Sequence, residues 1–284
     1  MKKLIALVLT FVFALTLTAA ALADPLTIAV PSDPTNEGRA LLLLQKLGVL
    51  TLDENAGLEA TKLNIASTAV DIELVEVEAA LVPEFKINKD VDYAIINNNY
   101  ALQAGLNPVA DSLFIEDAES PYVNVVSVKA GNENTDAAKA LAAALTSQQV
   151  VDYINGKYEG AAIATIENPT DGYDATVNYD ALAGTTISIA ATAVPHEEVL
   201  KDVVVGILAE KGIELEVISV SDYITPNEMV NSGDVFANYF AHQPYQDSFN
   251  LENGTDLVTI AGIHVEPMAL YGGIQDSLDA LLGQ

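Results

Sequence analysis

One pattern constrains this chain more than any other: the order strand, helix, strand, helix, strand occurs twice. In the first pass, Leu26–Val30 is an apolar run with β-branched Thr27, Ile28 and Val30, and it reads as a strand. Asp33-Pro34 supplies a helix cap and a proline at the first helical position, Leu41–Leu44 and Leu47 an apolar face, and Gly48 a stop. Ile72–Val77 alternates apolar residues with Glu73 and Glu76 as a second strand. Glu78–Phe85 is a short helix limited by Pro83, and Val91–Ile96 is a third strand leading into Asn97-Asn98-Asn99-Tyr100. In the second pass, Thr186–Ala191 is a strand and Pro195 opens a helix that runs to about Lys211 and stops at Gly212. Ile213–Val220 is a strand, Thr225–Asn231 a short helix, and Asp234–Asn238 a strand leading into Tyr239-Phe240-Ala241-His242.

Alternating strands and helices predict an α/β fold, with helices on the faces of a parallel sheet. Ligands of such sheets bind outside the carboxyl ends of the strands. Both passes deliver amide-rich and ring-rich residues at such an end. Two lobes facing each other would line a cleft from both sides, with Phe240 and His242 on one wall and Arg39 and Asn99 on the other. Pro121–Val128 and His264–Tyr271 read as crossings between lobes, and Gly272-Gly273 as a hinge. Asp136–Tyr158 is a helical stretch. Glu167–Gly184, with Asn-Pro and Asp-Gly pairs, reads as a linker.

The 284 residues are 50% hydrophobic, enough for one large core or two small ones. Residues 1–23 read as a secretory signal: Lys2 and Lys3, an apolar core Leu4–Leu17, and Ala21-Leu22-Ala23 before Asp24. That apolar core is short for a membrane span of ~20 residues. The formal charge of −28 predicts repulsion from nucleic acid and from anionic membranes. With no cysteine there is no disulfide, no thiolate zinc site, no thiol nucleophile and no sulfur to carry a lipid. No phosphate loop, serine elbow or dinucleotide fingerprint occurs. His196-Glu197-Glu198 lacks the second histidine of a zinc protease. No cofactor, no metal site and no catalytic residue is therefore expected. His264 and Glu266 would be the acid–base pair of a secreted enzyme, but a hinge strand with a local Glu266 bond is the preferred reading.

Six blocks carry a family resemblance. They are Pro31-Ser32-Asp33-Pro34-Thr35-Asn36-Glu37-Gly38-Arg39-Ala40-Leu41, Ile96-Asn97-Asn98-Asn99-Tyr100-Ala101, Ser120-Pro121-Tyr122-Val123-Asn124-Val125, Ser221-Asp222-Tyr223, Asn238-Tyr239-Phe240-Ala241-His242-Gln243-Pro244-Tyr245 and His264-Val265-Glu266-Pro267-Met268. With these the chain resembles the methionine-binding MetQ/NlpA substrate-binding proteins of ABC importers. The resemblance implies two Rossmann-like lobes joined by a two-segment hinge, a type II periplasmic-binding-protein fold. The block order departs from the family's, because the half holding Phe240 and His242 comes second here. The chain therefore reads as a circular permutant whose old ends are joined through about 166–184. The implied lobes are 24–118 with 274–284, and 119–273 containing that linker.

The resemblance assigns Tyr223, Phe240, His242 and Tyr245 to a ligand's side chain, and Arg39, Asn99 and Asn124 to an amino-acid head group. The chemistry agrees, since rings suit a thioether and a guanidinium suits a carboxylate. Taken singly, each residue has a plainer reading: Tyr223, Phe240 and Tyr245 as packing rings, His242 as a structural histidine, Arg39 reaching to solvent, Asn97–Asn99 as a turn. The implied protein is a monomer, exported and not lipid-anchored. It captures methionine for a permease–ATPase complex. Another small amino-acid derivative or a methionine-containing dipeptide is the alternative ligand.

Overall fold

The computed structural model describes residues 24–117 and 121–284. The secretory signal and residues 118–120 lie outside the described residues. Among those described, thirteen strands occur: β1 (Leu26–Pro31), β2 (Leu50–Leu52), β3 (Ile65–Thr68), β4 (Ile72–Val77), β5 (Tyr93–Ile96), β6 (Phe114–Ile115), β7 (Val123–Lys129), β8 (Ile163–Ala164), β9 (Thr186–Thr192), β10 (Glu214–Val220), β11 (Ala237–His242), β12 (Leu257–Val265) and β13 (Ala269–Gly272). They form a five-stranded sheet of order β4-β1-β5-β13-β6, a six-stranded sheet of order β10-β9-β11-β7-β12-β8, and a β2-β3 ribbon. The protein is a mixed α/β chain built on two sheets.

The repeated pattern is visible in the strand order. In the first sheet β1 lies between β4 and β5, all parallel; in the second, β9 lies between β10 and β11, again parallel. Each parallel triple is then extended by antiparallel strands, β13 and β6 in one sheet and β7, β12 and β8 in the other. The all-parallel expectation holds for the triples only.

The first sheet is packed on both faces, so successive β1 residues serve different cores. Ile28 and Val30 pack with Leu41 and Leu44 of helix Pro34–Leu47, and Ala29 packs with Val82, Ile96 and Tyr100. That helix begins where the sequence places it. Asp33 accepts from the Asn36 N–H, Pro34 occupies the first turn, and Gly48 closes the end at φ 84°. The second sheet has one large core, with Leu141, Ile154, Ile189, Leu200, Leu208 and Tyr239 among its members.

Four expectations are corrected. The strand read at Asp234–Asn238 is instead β11, Ala237–His242, because pairing with β9 and β7 sets its length. Asp136–Tyr158 is two helices, Asp136–Leu145 and Gln148–Tyr158, since Ser147 caps the second. The crossings read at Pro121–Val128 and His264–Tyr271 are largely strand: β7 takes Val123–Lys129, and β12 and β13 leave only 266–268 between them. Gly272-Gly273 is not at a crossing. β13 hydrogen-bonds to β5, which places 269–272 in the first sheet and not with the second lobe. A Cβ on Gly272 would lie 2.3 Å from the Gln275 carbonyl oxygen, and one on Gly273 2.3 Å from that of Val91, so these glycines permit close backbone approach. The linker at 167–184 is irregular apart from a turn of helix at Tyr179–Leu182, yet it is packed, with Val177 in the second core. Among the described residues no helix is long and apolar enough to cross a membrane.

Candidate functional site

The carboxyl ends of the parallel triples face one another. β1 runs into the helix that carries Asn36 and Arg39, and β5 into Asn97, Asn98 and Asn99. From the other sheet, β11 carries Phe240 and His242, and the loop after β10 carries Tyr223. Asn124, near the start of antiparallel β7, stands in register between His242 of β11 and His264 of β12. Together these residues line one cavity, with Ala241, Tyr245 and Glu266 completing the lining. All seven residues singled out from the sequence, Arg39, Asn99, Asn124, Tyr223, Phe240, His242 and Tyr245, line this one cavity.

One wall is aromatic. The Tyr223 ring lies 5.9 Å from Phe240 and 5.8 Å from Tyr245, centroid to centroid, and Tyr245 lies 6.1 Å from His242. Their polar tips are tied off: Tyr245 donates its hydroxyl to the Tyr223 carbonyl at 2.8 Å, and Tyr223 donates to Asn99 Oδ1 at 2.6 Å. Burial pushes both phenols well up, so they act as neutral donors.

His242 is committed through both ring nitrogens. Nδ1 accepts from the Tyr245 N–H at 3.1 Å as the cap of helix Gln243–Asn253, and Nε2 donates to Asn36 Oδ1 at 3.0 Å. Burial, with the Arg39 charge adding to it, holds its pKa well below the usual histidine range. The plain structural reading of His242 therefore holds for its polar atoms, and only ring surface is presented to the cavity.

The opposite wall is polar. Arg39 is buried, and its Nη2 donates to Glu116 Oε2 at 2.5 Å and to the Glu266 carbonyl oxygen at 2.6 Å. Its Nε faces both Glu116 oxygens at 3.1 Å, and its carbon lies 4.3 Å above the Tyr122 ring. It does not reach to solvent. None of these bonds uses Nη1. Asn97 Oδ1, Asn98 Oδ1 and Asn99 Nδ2 are buried with no hydrogen-bond partner among the described residues. Buried amide atoms rarely lack partners, because each costs about 1–3 kcal/mol unpaired. Three of them, on consecutive residues, border this one cavity.

Glu266 closes this wall. Its Oε1 accepts from His264 Nε2 at 2.8 Å and faces His196 Nε2 at 3.2 Å, and its Oε2 accepts from Asn98 Nδ2 at 3.2 Å. Burial opposes ionisation of this carboxyl, yet His196, His264 and Asn98 bring its pKa below the ordinary range. His264 Nδ1 in turn accepts from the Tyr239 hydroxyl at 2.6 Å.

The sequence profile of the NlpA lipoproteins matches residues 16–166 and 187–283, most of the chain. The chain belongs to the NlpA lipoprotein family. These lipoproteins are not enzymes, and the buried, mutually bonded His264 and Glu266 do not revive a catalytic reading. Among relatives of this NlpA-family chain, the D-methionine-binding lipoprotein MetQ of Yersinia pestis is 40% identical over 136 residues, covering 48% of this chain and 50% of that protein. Lipoprotein 28 of Escherichia coli K12 is 40% identical over 167 residues, covering 57% and 61%. A nutrient binding protein from Burkholderia cenocepacia, solved bound to methionine, is 39% identical over 51% of this chain and 61% of that one, with a TM-score of 0.48. The chain thus spans about half to three-fifths of the length of these relatives.

Sequence reasoning named neither Asn36 nor Asn97 nor Asn98 as wall residues of this NlpA-family cavity, although all three sit inside the quoted blocks. Their signal was position: they follow directly on the carboxyl ends of two parallel strands. Glu266 was weighed as a local structural residue, because its partners His196 and Asn98 are far away in sequence.

Proposed function

We propose that this chain is a substrate-binding protein of an ABC importer, which captures methionine between two lobes and hands it to a membrane permease–ATPase complex. The observation that carries the reading is the two-sided cavity, rings on one wall and unpaired amide atoms beside a guanidinium on the other. A methionine thioether is apolar and polarisable, and each sulfur–ring contact contributes ~0.3–1.5 kcal/mol. The side chain would lie against Tyr223, Phe240, His242 and Tyr245. The carboxylate would take Arg39 Nη1 and the Asn99 and Asn124 amides, and the ammonium would take Glu266 and the Asn98 oxygen. The names of the relatives support the ligand class.

In this reading the two sheets are the cores of two lobes of a type II binding-protein fold, with 266–268 running between them. The chain is a circular permutant, joined through about 166–184. The family profile breaks between 166 and 187, which supports the join. Residues 1–23 would direct export.

Calorimetry on protein unfolded and refolded to strip carried-over ligand tests the function. Saturable one-to-one heat with methionine is expected. Heat only with other amino acids or with dipeptides would reject methionine as the ligand, and no heat with any of them would reject the binding function.

A further inference from the structure

Two histidines and a carboxylate converge just behind the cavity wall, and nothing in the ligand reading uses both histidines. We propose that His196, His264 and Glu266 form a site for one divalent transition-metal ion of the zinc class, with Asn124 placed to complete the set. The site stands whatever the cavity binds.

Geometry is the first support. One ligand atom from each of His196, His264 and Glu266 lies within 4.8 Å of the other two. His264 Nε2 is 2.8 Å and His196 Nε2 3.2 Å from Glu266 Oε1, and Asn124 Oδ1 is 3.1 Å from His196 Nε2. A tetrahedral zinc ion with bonds of about 2.0–2.1 Å keeps its ligand atoms about 3.3 Å apart. These three separations would each open by about half an ångström or less.

Proton positions are the second. Both Nε2 atoms face acceptors, so both carry hydrogen, and both Nδ1 atoms accept from hydroxyls, Thr192 at 2.8 Å and Tyr239 at 2.6 Å. Coordination needs the Nε2 lone pairs. Each ring's proton can pass to Nδ1, because a hydroxyl oxygen accepts as well as donates. The two bonds then reverse rather than break, and Thr192 and Tyr239 become the outer partners that orient metal-bound imidazoles. The exchange moves each proton within its own ring, so none is released.

Charge is the third. The Glu266 carboxylate stands between two imidazoles. Imidazole and carboxylate without thiolate is a donor set that zinc and its neighbours accept. Glu266 and Asn124 line the cavity, so an ion has a route in from there.

The competing account is a metal-free hydrogen-bond network that only fixes Glu266. The chain has three histidines, which makes nitrogen NMR on ¹⁵N-histidine-labelled, chelator-treated protein decisive. Zinc is titrated with excess magnesium present to occupy surface carboxylates. The expected result is that His196 and His264 convert from Nε2–H to Nδ1–H patterns, complete at one equivalent, while His242 stays unchanged. Cobalt should give the visible absorption of a tetrahedral site, and His264→Gln should weaken zinc binding at least tenfold. Unmoved His196 and His264 signals at several equivalents of zinc would overturn the proposal; this reading uses the unaltered chain and does not depend on the variant folding.

Discussion

The Tyr223 hydroxyl donates to Oδ1 of Asn99 at 2.6 Å, so one hydrogen bond joins the loop after β10 of the second sheet to the helix start after β5 of the first. Nearby, Tyr100 donates to the Ser221 carbonyl at 3.1 Å, and its ring lies 5.0 Å from that of Tyr223. Tyr223→Phe keeps the ring contacts and deletes the latch, leaving Asn99 with neither side-chain atom paired by the protein. We expect the methionine dissociation constant to rise about tenfold, a loss of about 1.4 kcal/mol, with the melting temperature falling by only about 2–4 °C. Calorimetry beside a thermal melt checks this; equal affinity for both proteins would remove the latch from the binding account.

Arg39→Lys preserves the charge and loses the fork. A lysine ammonium cannot serve Glu116, the Glu266 carbonyl and a ligand carboxylate in three fixed directions. Methionine binding should weaken by about two orders of magnitude, about 2.7 kcal/mol. Stability should fall too, because a largely buried carboxylate loses its bidentate partner. Affinity within threefold of the unaltered protein would show that the guanidinium holds the fold and not the ligand.

His242→Asn separates two duties of one side chain. Asparagine is a strong helix cap, so helix Gln243–Asn253 should keep its start and the protein should lose less than about 1 kcal/mol in a denaturant titration. The ring surface and the bond to Asn36 disappear, and methionine affinity should drop several-fold. A large stability loss with unchanged affinity would mean that the histidine serves only as a cap.

His196 supplies the pH prediction. Burial pushes its imidazole down to about 3, against the pull of Glu266. The unfolded ring titrates near 6.5, so between about pH 3 and 6.5 the unfolded chain holds the extra proton. The stability from the neutral ring is complete above about pH 6.5 and is lost as pH falls toward 3. Asp33, whose carboxyl burial raises, opposes this by losing stability as pH rises through its lifted range. His196 ring signals should stay constant from pH 8 to pH 5, and His196→Gln should flatten the dependence of the denaturant midpoint over that interval. A His196 ring titrating near 6.5 would contradict the assignment.

The parts of the fold written in neighbouring residues were readable from the sequence. Asp33, Pro34 and Gly48 act within a turn of where they stand, so that helix came out correctly at both ends. β11 was misplaced because its length is set by two partner strands, one more than a hundred residues away. Gly272-Gly273 looked like a flexible joint because only the fold reveals the carbonyls crowding it. The candidate site divided the same way. Seven wall residues lay in recognisable blocks, whereas the convergence of His196 on Glu266 depends on β7, β9 and β12 lying close together in one sheet, which no local pattern encodes.

Arg39 also touches both stretches that run between the sheets. Glu116 opens one of them and Glu266 the other, and Glu116 accepts from the Met268 N–H at 3.1 Å as well, so the two stretches are bound to each other and to the guanidinium. Any swing of one half against the other has its fulcrum here. In the proposed binding function, the group assigned to an amino acid's carboxylate would therefore travel least, and the rings most. A guest would be moored by its head at the axle while the jaw of tyrosines and phenylalanine is still ajar, and capture would run from the inside outward.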